Sequence, residues 1–429
     1  MLKIYTKNVE EKLRQIGSRG ELTWQRPETQ IVAKIIQNVR RQGDRAVLKY
    51  TRKFDGVSLQ NLRVDPLEIE LARGQLDKTL LKALRLAIKN IADYHLRQVP
   101  RSWLIKTGRK SRVGLRYSPV SAAGVYVPGG RAFYPSSLLM NVIPAKLAGV
   151  PRVCVVTPPD KNGSAPPALL AAACELGIDE IYLCGGAQAV AALAYGTESI
   201  ARVDMIAGPG NIYVALAKNL LCGVVGFDKL AGPSDCLILA DKTANPKFVA
   251  ADLLAQSEHD PQASSLLITD SLALAKAAAA EASKQIKKLP RRKIIEQSLD
   301  NYGGIFVISD RADFVRLADL VAPEHLQIML KDAKAVAEQI NNAGAIFIGA
   351  YSPVALGDYF AGPNHVLPTG GTARFASPLG VEDFIKRTSL LEYARSDLQA
   401  AQKYIDVLAR AENLTAHAHS VQIRLKGKK

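Results

Sequence analysis

AAGVYVP (residues 122–128), VCVVTPP (153–159), EIYLCGG (180–186) and VDMIAGPG (203–210) are short β-rich runs followed by alanine-rich segments, and they decide the fold. The alternation continues through CLILAD (236–241), SSLLITD (264–270), GGIFVISD (303–310) and AIFIGA (345–350). Strands separated by roughly 12–25 residues of helical period predict parallel sheets built from βαβ units. Two such sheets fit, with a change of domain near Leu230 to Leu237, where Gly232 and Pro233 precede a new strand.

Outward from this block the texture changes. Residues 1–116 are expected to be mainly helical, since ETQIVAKIIQNVRRQGDRAVLKYTRKF and LDKTLLKALRLAIKNIADYHLRQ place apolar residues three and four apart. The sequence leaves open which sheet these helices pack on. The last 50 or so residues return to helix with little apolar bulk of their own, which predicts a protruding tail that docks on another subunit of a dimer.

The 429-residue chain is long enough for two large domains, and 48% hydrophobic with 22% charged residues is an ordinary globular composition. The amino end lacks a secretory signal pattern and no run reaches the ~20 apolar residues of a membrane span, so a cytoplasmic protein without membrane association is expected. Cys154, Cys174, Cys184, Cys222 and Cys236 sit in apolar or small-residue runs without a C-x-x-C pair, the pattern of buried, reduced thiols. The formal charge of +16 is concentrated: residues 1–116 hold 26 Lys+Arg against 11 Asp+Glu, net +15, leaving 30 against 29 elsewhere. That excess is spread over amphipathic stretches, with one denser run, KTGRKSRVGLR. Its aromatic residues are few and widely spaced, which argues against a nucleic-acid partner.

Three strand-to-turn junctions, VYVPGGRAFYPSS, YLCGGAQAVAAL and MIAGPGNIYVALAK, place glycines where exposed amides and a helix dipole favour an anionic group. None is a G-x-G-x-x-G fingerprint, so each is either a structural turn or part of a nucleotide site. Their polar tips, Tyr126, Gln188 and Asn211, are candidates for cofactor contacts. Five of six histidines follow residue 255. Gln256 and His259, one helical turn apart, can reach one metal ion together. Glu324 and His325 follow Pro323 on an expected turn, and a carboxylate beside an imidazole suits proton transfer near neutral pH. Asp358 and His365 fall in GDYFAGPNHVLPTGGTARF, too rich in Gly, Pro and Thr for helix or core strand. Glu412 and His417 lie near the chain end, with His419 expected to face solvent.

Taken in order, YVPGG, GGAQA, GPGN, AGPSD, AQSEH, APEHL, NHVLPTGGTARF and LTAH resemble the histidinol dehydrogenase family over nearly the whole chain. The resemblance implies an α/β homodimer of two incomplete Rossmann-like parallel-sheet domains, with a helical N-terminal arm and a helical C-terminal tail exchanged between subunits. On that pattern residues 1–20 form the arm, 21–122 with 236–375 the first domain, 123–235 the NAD-binding domain and 376–429 the tail. It further implies one zinc ion per subunit on Gln256, His259, Asp358 and His417, and acid–base catalysis by Glu324 and His325. Ser234, His365 and Glu412 would hold the substrate together with His325 and the zinc ligands, while Tyr126, Gln188 and Asn211 would hold NAD. The implied reaction takes L-histidinol through an aldehyde to L-histidine with two NAD, the end of histidine biosynthesis. Asp235 stands where the family pattern has glutamate. The competing expectation is a related zinc and NAD dehydrogenase of another small alcohol, such as a sulfonated diol; an anionic substrate of that kind would favour an arginine over His365 and Glu412.

Overall fold

A computed structural model of the chain describes residues 2–17, 27–129, 134–229 and 232–426. The tip of the first glycine turn, Leu230 at the expected change of domain, and the end of the expected amino-terminal arm lie outside the described residues. The chain forms two compact units, Met1–Gln98 with Ser121–Phe384, and Val99–Val120 with Ile385–Lys429.

The first unit is α/β and holds both parallel sheets. In the five-stranded sheet the order is Ile181–Leu183, Arg152–Thr157, Ala122–Tyr126, Met205–Ala207, Gly226–Phe227. Numbered within the sheet this is 3-2-1-4-5, the doubly wound order without its sixth strand. The six-stranded sheet repeats that order in Gly303–Val307, Ser264–Thr269, Asp235–Ala240, His325–Met329 and Ala345–Ile348, and adds Ile4–Tyr5 beyond Gly303–Val307. All pairings between these strands are parallel, and Arg63 adds an isolated antiparallel bridge to Tyr182 at the edge of the five-stranded sheet. Nearly continuous apolar runs fit strands covered on both faces, and Asp235–Ala240, Ser264–Thr269 and His325–Met329 are buried throughout.

The first helix, Val9–Gly17, buries Leu13 in the core of the six-stranded sheet, whereas the helix Pro27–Phe54 packs on the five-stranded side. Val32, Ile35, Ile36, Val39, Val47 and Tyr50 of the helix Pro27–Phe54 share a core with Val190, Leu193 and Val214. That helix is not continuous. Gly43 adopts φ 51°, ψ −133°, and a Cβ there would sit 2.1 Å from Glu198 Oε2. The Glu198 carboxylate instead accepts the Asp44 N–H at 2.7 Å, satisfying backbone that the kink frees.

The second unit corrects the expectation for the dense basic run. Trp103–Thr107 and Ser111–Pro119 form an antiparallel hairpin, and Ile385–Glu392 pairs on its far side. Charges in KTGRKSRVGLR alternate with apolar residues along strands, a period of two that a helical scan overlooks. At the hairpin turn Asp397 accepts from the N–H groups of Arg109 (3.1 Å) and Lys110 (2.8 Å) and from Ser111 Oγ (2.7 Å). Those bonds hold the Asp397 carboxyl at about 2. The helices Arg395–Ala411 and Thr415–Leu425 complete this unit.

Cys222 is exposed, which corrects its assignment to the interior; it follows a helix end, on a surface turn. Cys154, Cys184 and Cys236 are buried thiols as expected, and burial pushes all three thiols up. Among the described residues no helix is long and apolar enough to cross a membrane.

Candidate active site

One cavity of about 270 Å³ in the first unit is lined from both sheets. From the five-stranded sheet come Pro128 and Gly208–Pro209–Gly210, at the carboxyl ends of Ala122–Tyr126 and Met205–Ala207. These two strands flank the point where the strand order reverses, the usual ligand crevice of an open α/β sheet. From the six-stranded sheet and the helices and loops around it come Ser234, Gln256, His259, Glu324, His325, Asp358 and His365.

Strand register explains the most chemical corner. Cys236 pairs with His325, so Asp235 and Glu324 lie side by side although 89 positions apart. Each carboxylate takes the other residue's backbone N–H: Asp235 N donates to Glu324 Oε2 at 3.0 Å and Glu324 N to Asp235 Oδ1 at 2.8 Å. Glu324 and His325 are each 5% exposed. The chain turns before Pro323, at Ala322 with φ 47°, and Glu324 sits on a bend, but His325, expected on the turn with it, opens a strand. On the other side of this strand Gly344 lets the start of Ala345–Ile348 close in, because a Cβ there would meet the Glu324 carbonyl oxygen at 2.5 Å.

His325 Nδ1 lies 3.2 Å from the Asp235 carbonyl oxygen, which can only accept, so Nδ1 carries the hydrogen and Nε2 is the basic nitrogen. Nε2 is buried without a hydrogen-bond partner among the described residues and stands 3.6 Å from Asp358 Oδ1. Burial raises the Glu324 carboxyl. Burial alone would lower the His325 imidazole, but the carboxylates of Glu324, Asp358 and Asp235 outweigh it and raise it. Two groups in one buried corner thus lie displaced from their ordinary ranges, a mark of proton-transfer sites.

Asp358 is not in irregular loop as expected; it belongs to the short helix Val354–Tyr359, begun after Pro353. His365 does lie in the loop that follows. Its Nδ1 donates to the Asp358 carbonyl at 2.9 Å, and Nε2 meets Ser137 Oγ at 3.3 Å. Burial lowers the imidazoles of His365 and His259, favouring the neutral, ligating form. Burial pushes the Asp358 carboxyl up, yet His325, with His365 and His259, overcomes it and holds Asp358 below the carboxylate range.

Gln256 lies in the last turn of the helix Pro246–Ser257, and His259 follows just beyond its end. Both amide atoms of Gln256 are buried without a partner among the described residues. Each such orphan costs about 1–3 kcal/mol, which a bound cation or substrate would offset. A neutral imidazole and an ionised carboxylate lining one cavity are ordinary zinc donors, and the orphaned amide oxygen beside them is an uncommon one that can complete the set. Among the described residues no three His, Cys, Asp or Glu side chains close on a metal position by themselves. Glu412 and His417 belong to the second unit, where both are exposed, as is His419.

On the dinucleotide-like side, Gly208 has φ 114°, and a Cβ would lie 2.1 Å from the Tyr126 carbonyl oxygen, so only glycine fits. Tyr126 and Gln188 are buried and do not line the cavity. The Tyr126 hydroxyl accepts the Gly186 N–H at 3.0 Å, tying two glycine turns together, and Gln188 Oε1 has no partner among the described residues. Asn211 caps the helix Ile212–Leu220, its Oδ1 accepting from Tyr213 N and Val214 N.

Residues 19–425 match the histidinol dehydrogenase family. The chain is 52% identical to the histidinol dehydrogenase of Synechococcus, an alignment covering 92% of this chain and 91% of that one. It is 51% identical to the Bacillus subtilis histidinol dehydrogenase, with 92% of each covered.

The chain belongs to the histidinol dehydrogenase family.

The crystal structure of the histidinol dehydrogenase from Elizabethkingia anophelis superposes with a TM-score of 0.93 at 35% identity, covering 99% of this chain and 98% of that one. The family's fold is therefore present throughout, and the chain is an oxidoreductase. Sequence reasoning missed Ser137, Gly344 and the part Asp235 plays opposite Glu324. Of these Gly344 left a trace as a glycine just before a strand, and Asp235 as a departure from the family pattern that did not reveal its partner.

Proposed function

We propose that the protein is a zinc-dependent histidinol dehydrogenase that oxidises L-histidinol to L-histidine through L-histidinal, with two NAD, in histidine biosynthesis. The observation that carries this reading is the buried corner of Glu324, His325 and Asp358, set beside the orphaned Gln256 amide in the cavity that also receives the Gly208–Gly210 turn. A cytoplasmic location goes with it, since such a dehydrogenase draws on soluble NAD.

Alcohol oxidation needs a base at the hydroxyl as hydride departs, and His325 Nε2, buried without a hydrogen-bond partner among the described residues, would take that proton once a cation at Asp358 offsets the carboxylates that raise the imidazole. Aldehyde oxidation needs water made nucleophilic first, the part of Glu324, whose raised carboxyl exchanges protons near neutral pH. Ser234 and His365 line the same cavity and hold the substrate's polar groups. Gln256, His259 and Asp358 would hold zinc, which supplies an anchor for the substrate's imidazole and amine and offsets the negative charge facing His325. NAD, held through the turns that carry Tyr126, Gln188 and Asn211, would take the hydride in each oxidation.

The fourth zinc donor, His417, and the substrate contact Glu412 would come from the second unit of a partner subunit in a homodimer. The exposed apolar residues Leu391, Tyr404, Val407 and Leu408 of that unit support a second copy as its docking surface. The test is NADH absorbance with purified protein, zinc and L-histidinol: two NADH per substrate consumed are expected. One NADH per substrate, or turnover of a sulfonated diol with none of L-histidinol, would overturn the reading.

A further inference from the structure

The cavity holds one charged group that the chemistry above does not use. Lys229 lies two residues beyond the strand Gly226–Phe227 and lines the cavity together with Gly208, Pro209, Gly210 and Asp228. It is 9% exposed, and its Nζ is shut from solvent without a hydrogen-bond partner among the described residues.

The neighbouring lysine shows how such a charge is settled in this corner. Lys218 Nζ donates to Asp228 Oδ1 at 2.6 Å and to the Gly208 carbonyl at 2.7 Å, while Asp228 Oδ2 accepts the Gly208 N–H at 2.8 Å. Asp228 is thereby committed to Lys218 and to the glycine turn. Asp383 faces Lys229 electrostatically, but its Oδ2 takes the Gly380 N–H at 2.7 Å. Burial holds the Lys229 ammonium below the usual lysine range. A buried cation without a partner is costly unless an anion joins it.

We propose that Lys229 is an oxyanion contact of this cavity and that the anion it takes is the pyrophosphate of the dinucleotide, an assignment that rests on the NAD-linked reading. Three features beside it suit that anion. The site lies at the carboxyl ends of the strands flanking the reversal of strand order, where dinucleotides bind in open sheets. Gly208 and Gly210 bring bare backbone to the cavity wall, and the helix Ile212–Leu220 begins there, its amino end favouring negative charge. Glu324 and Asp358, which line the cavity from the other sheet's side of the fold, repel a phosphate and leave the Lys229 corner for it. The four rotatable bonds of the lysine stem let the ammonium reach the phosphate as it arrives. The carboxylate of the amino-acid product is the other oxyanion this chemistry can meet.

The test compares the full-length, zinc-loaded protein with its Lys229→Met, Lys229→Gln and Lys229→Arg variants. NADH affinity is read by fluorescence titration, with KM for NAD and for L-histidinol and inhibition by L-histidine alongside. Loss of a charge-assisted contact should weaken NADH binding and raise KM for NAD by roughly ten- to a hundredfold in the Met and Gln variants. KM for L-histidinol and inhibition by L-histidine should stay within about twofold, and Arg should recover part of the loss. Unchanged NADH affinity in both neutral variants, with folding intact by melting temperature, would overturn the assignment. A loss confined to L-histidine inhibition would overturn it too, by giving the cation to the product carboxylate. No NADH binding by the unmodified protein would instead remove the NAD-linked reading, and this assignment with it.

Discussion

In the five-stranded sheet the crevice between Ala122–Tyr126 and Met205–Ala207 meets the cavity at the carboxyl ends of the strands. In the six-stranded sheet the equivalent pair, Asp235–Ala240 and His325–Met329, meets it at the amino ends, through Ser234 and Glu324. The strand order is the same, so order alone does not choose the working end. At the carboxyl ends of the six-stranded pair, Arg311 reaches Asp241 (3.4 Å), Asp270 (3.5 Å) and Asp332 (2.8 Å), and Asp241 also takes the N–H groups of Thr243 and Lys331. That crevice is filled by ion pairs. The amino ends instead offer backbone N–H groups, and Asp235 and Glu324 use them to keep carboxylates buried. One sheet therefore suits an anionic cofactor and the other suits proton transfer, and a single cavity joins them.

The sharpest way to break this comparison is His325→Asn. Loss of the base should slow both oxidations by about two to four orders of magnitude with folding unchanged, as read by steady-state kinetics and melting temperature; near-normal turnover would remove the six-stranded sheet from the chemistry. Glu324→Gln should divide the two steps. In single-turnover assays, oxidation of supplied aldehyde should fall about a hundredfold and alcohol oxidation much less. Gly208→Ala probes the other sheet, because its Cβ collides with the Tyr126 carbonyl. KM for NAD should rise at least about tenfold while L-histidinol still binds in a calorimetric titration, the geometry of one turn being lost.

A smaller effect is expected from Asp235→Ala, which strips the Glu324 N–H of its acceptor. A drop of about tenfold in kcat, with KM for NAD unchanged, would fit the loss of one buried hydrogen bond. Arg311→Met should leave kinetics untouched and lower stability by about 1 kcal/mol, since the guanidinium is half exposed. A loss of activity there would give the carboxyl ends of the six-stranded sheet a working part.

The parallel strands were legible because buried strands alternate with helices at a length scale the chain displays openly. The basic hairpin at 103–119 was not, since alternating charge on a small antiparallel sheet resembles one face of a helix when read a few residues at a time. His325–Met329 was hidden for a different reason: its five residues follow a proline and a left-handed alanine, and their strand character comes from neighbours on both sides. Within the site, the residue types of Gln256, His259, Glu324, His325, Asp358 and His365 pointed to chemistry from spacing and context. Their convergence depends on register between strands far apart in the chain. Asp235 shows this most clearly, because the Cys236–His325 pairing is what brings its carboxylate to the Glu324 backbone.

The most direct test of the division between sheets is hydrogen exchange of the zinc-loaded protein with NADH alone and with L-histidinol alone. NADH should protect residues 185–190 and 208–216, and L-histidinol residues 256–260, 323–326 and 358–366. Protection by NADH of residues 241–245, 309–313 and 330–333, at the carboxyl ends of the six-stranded sheet, would contradict it.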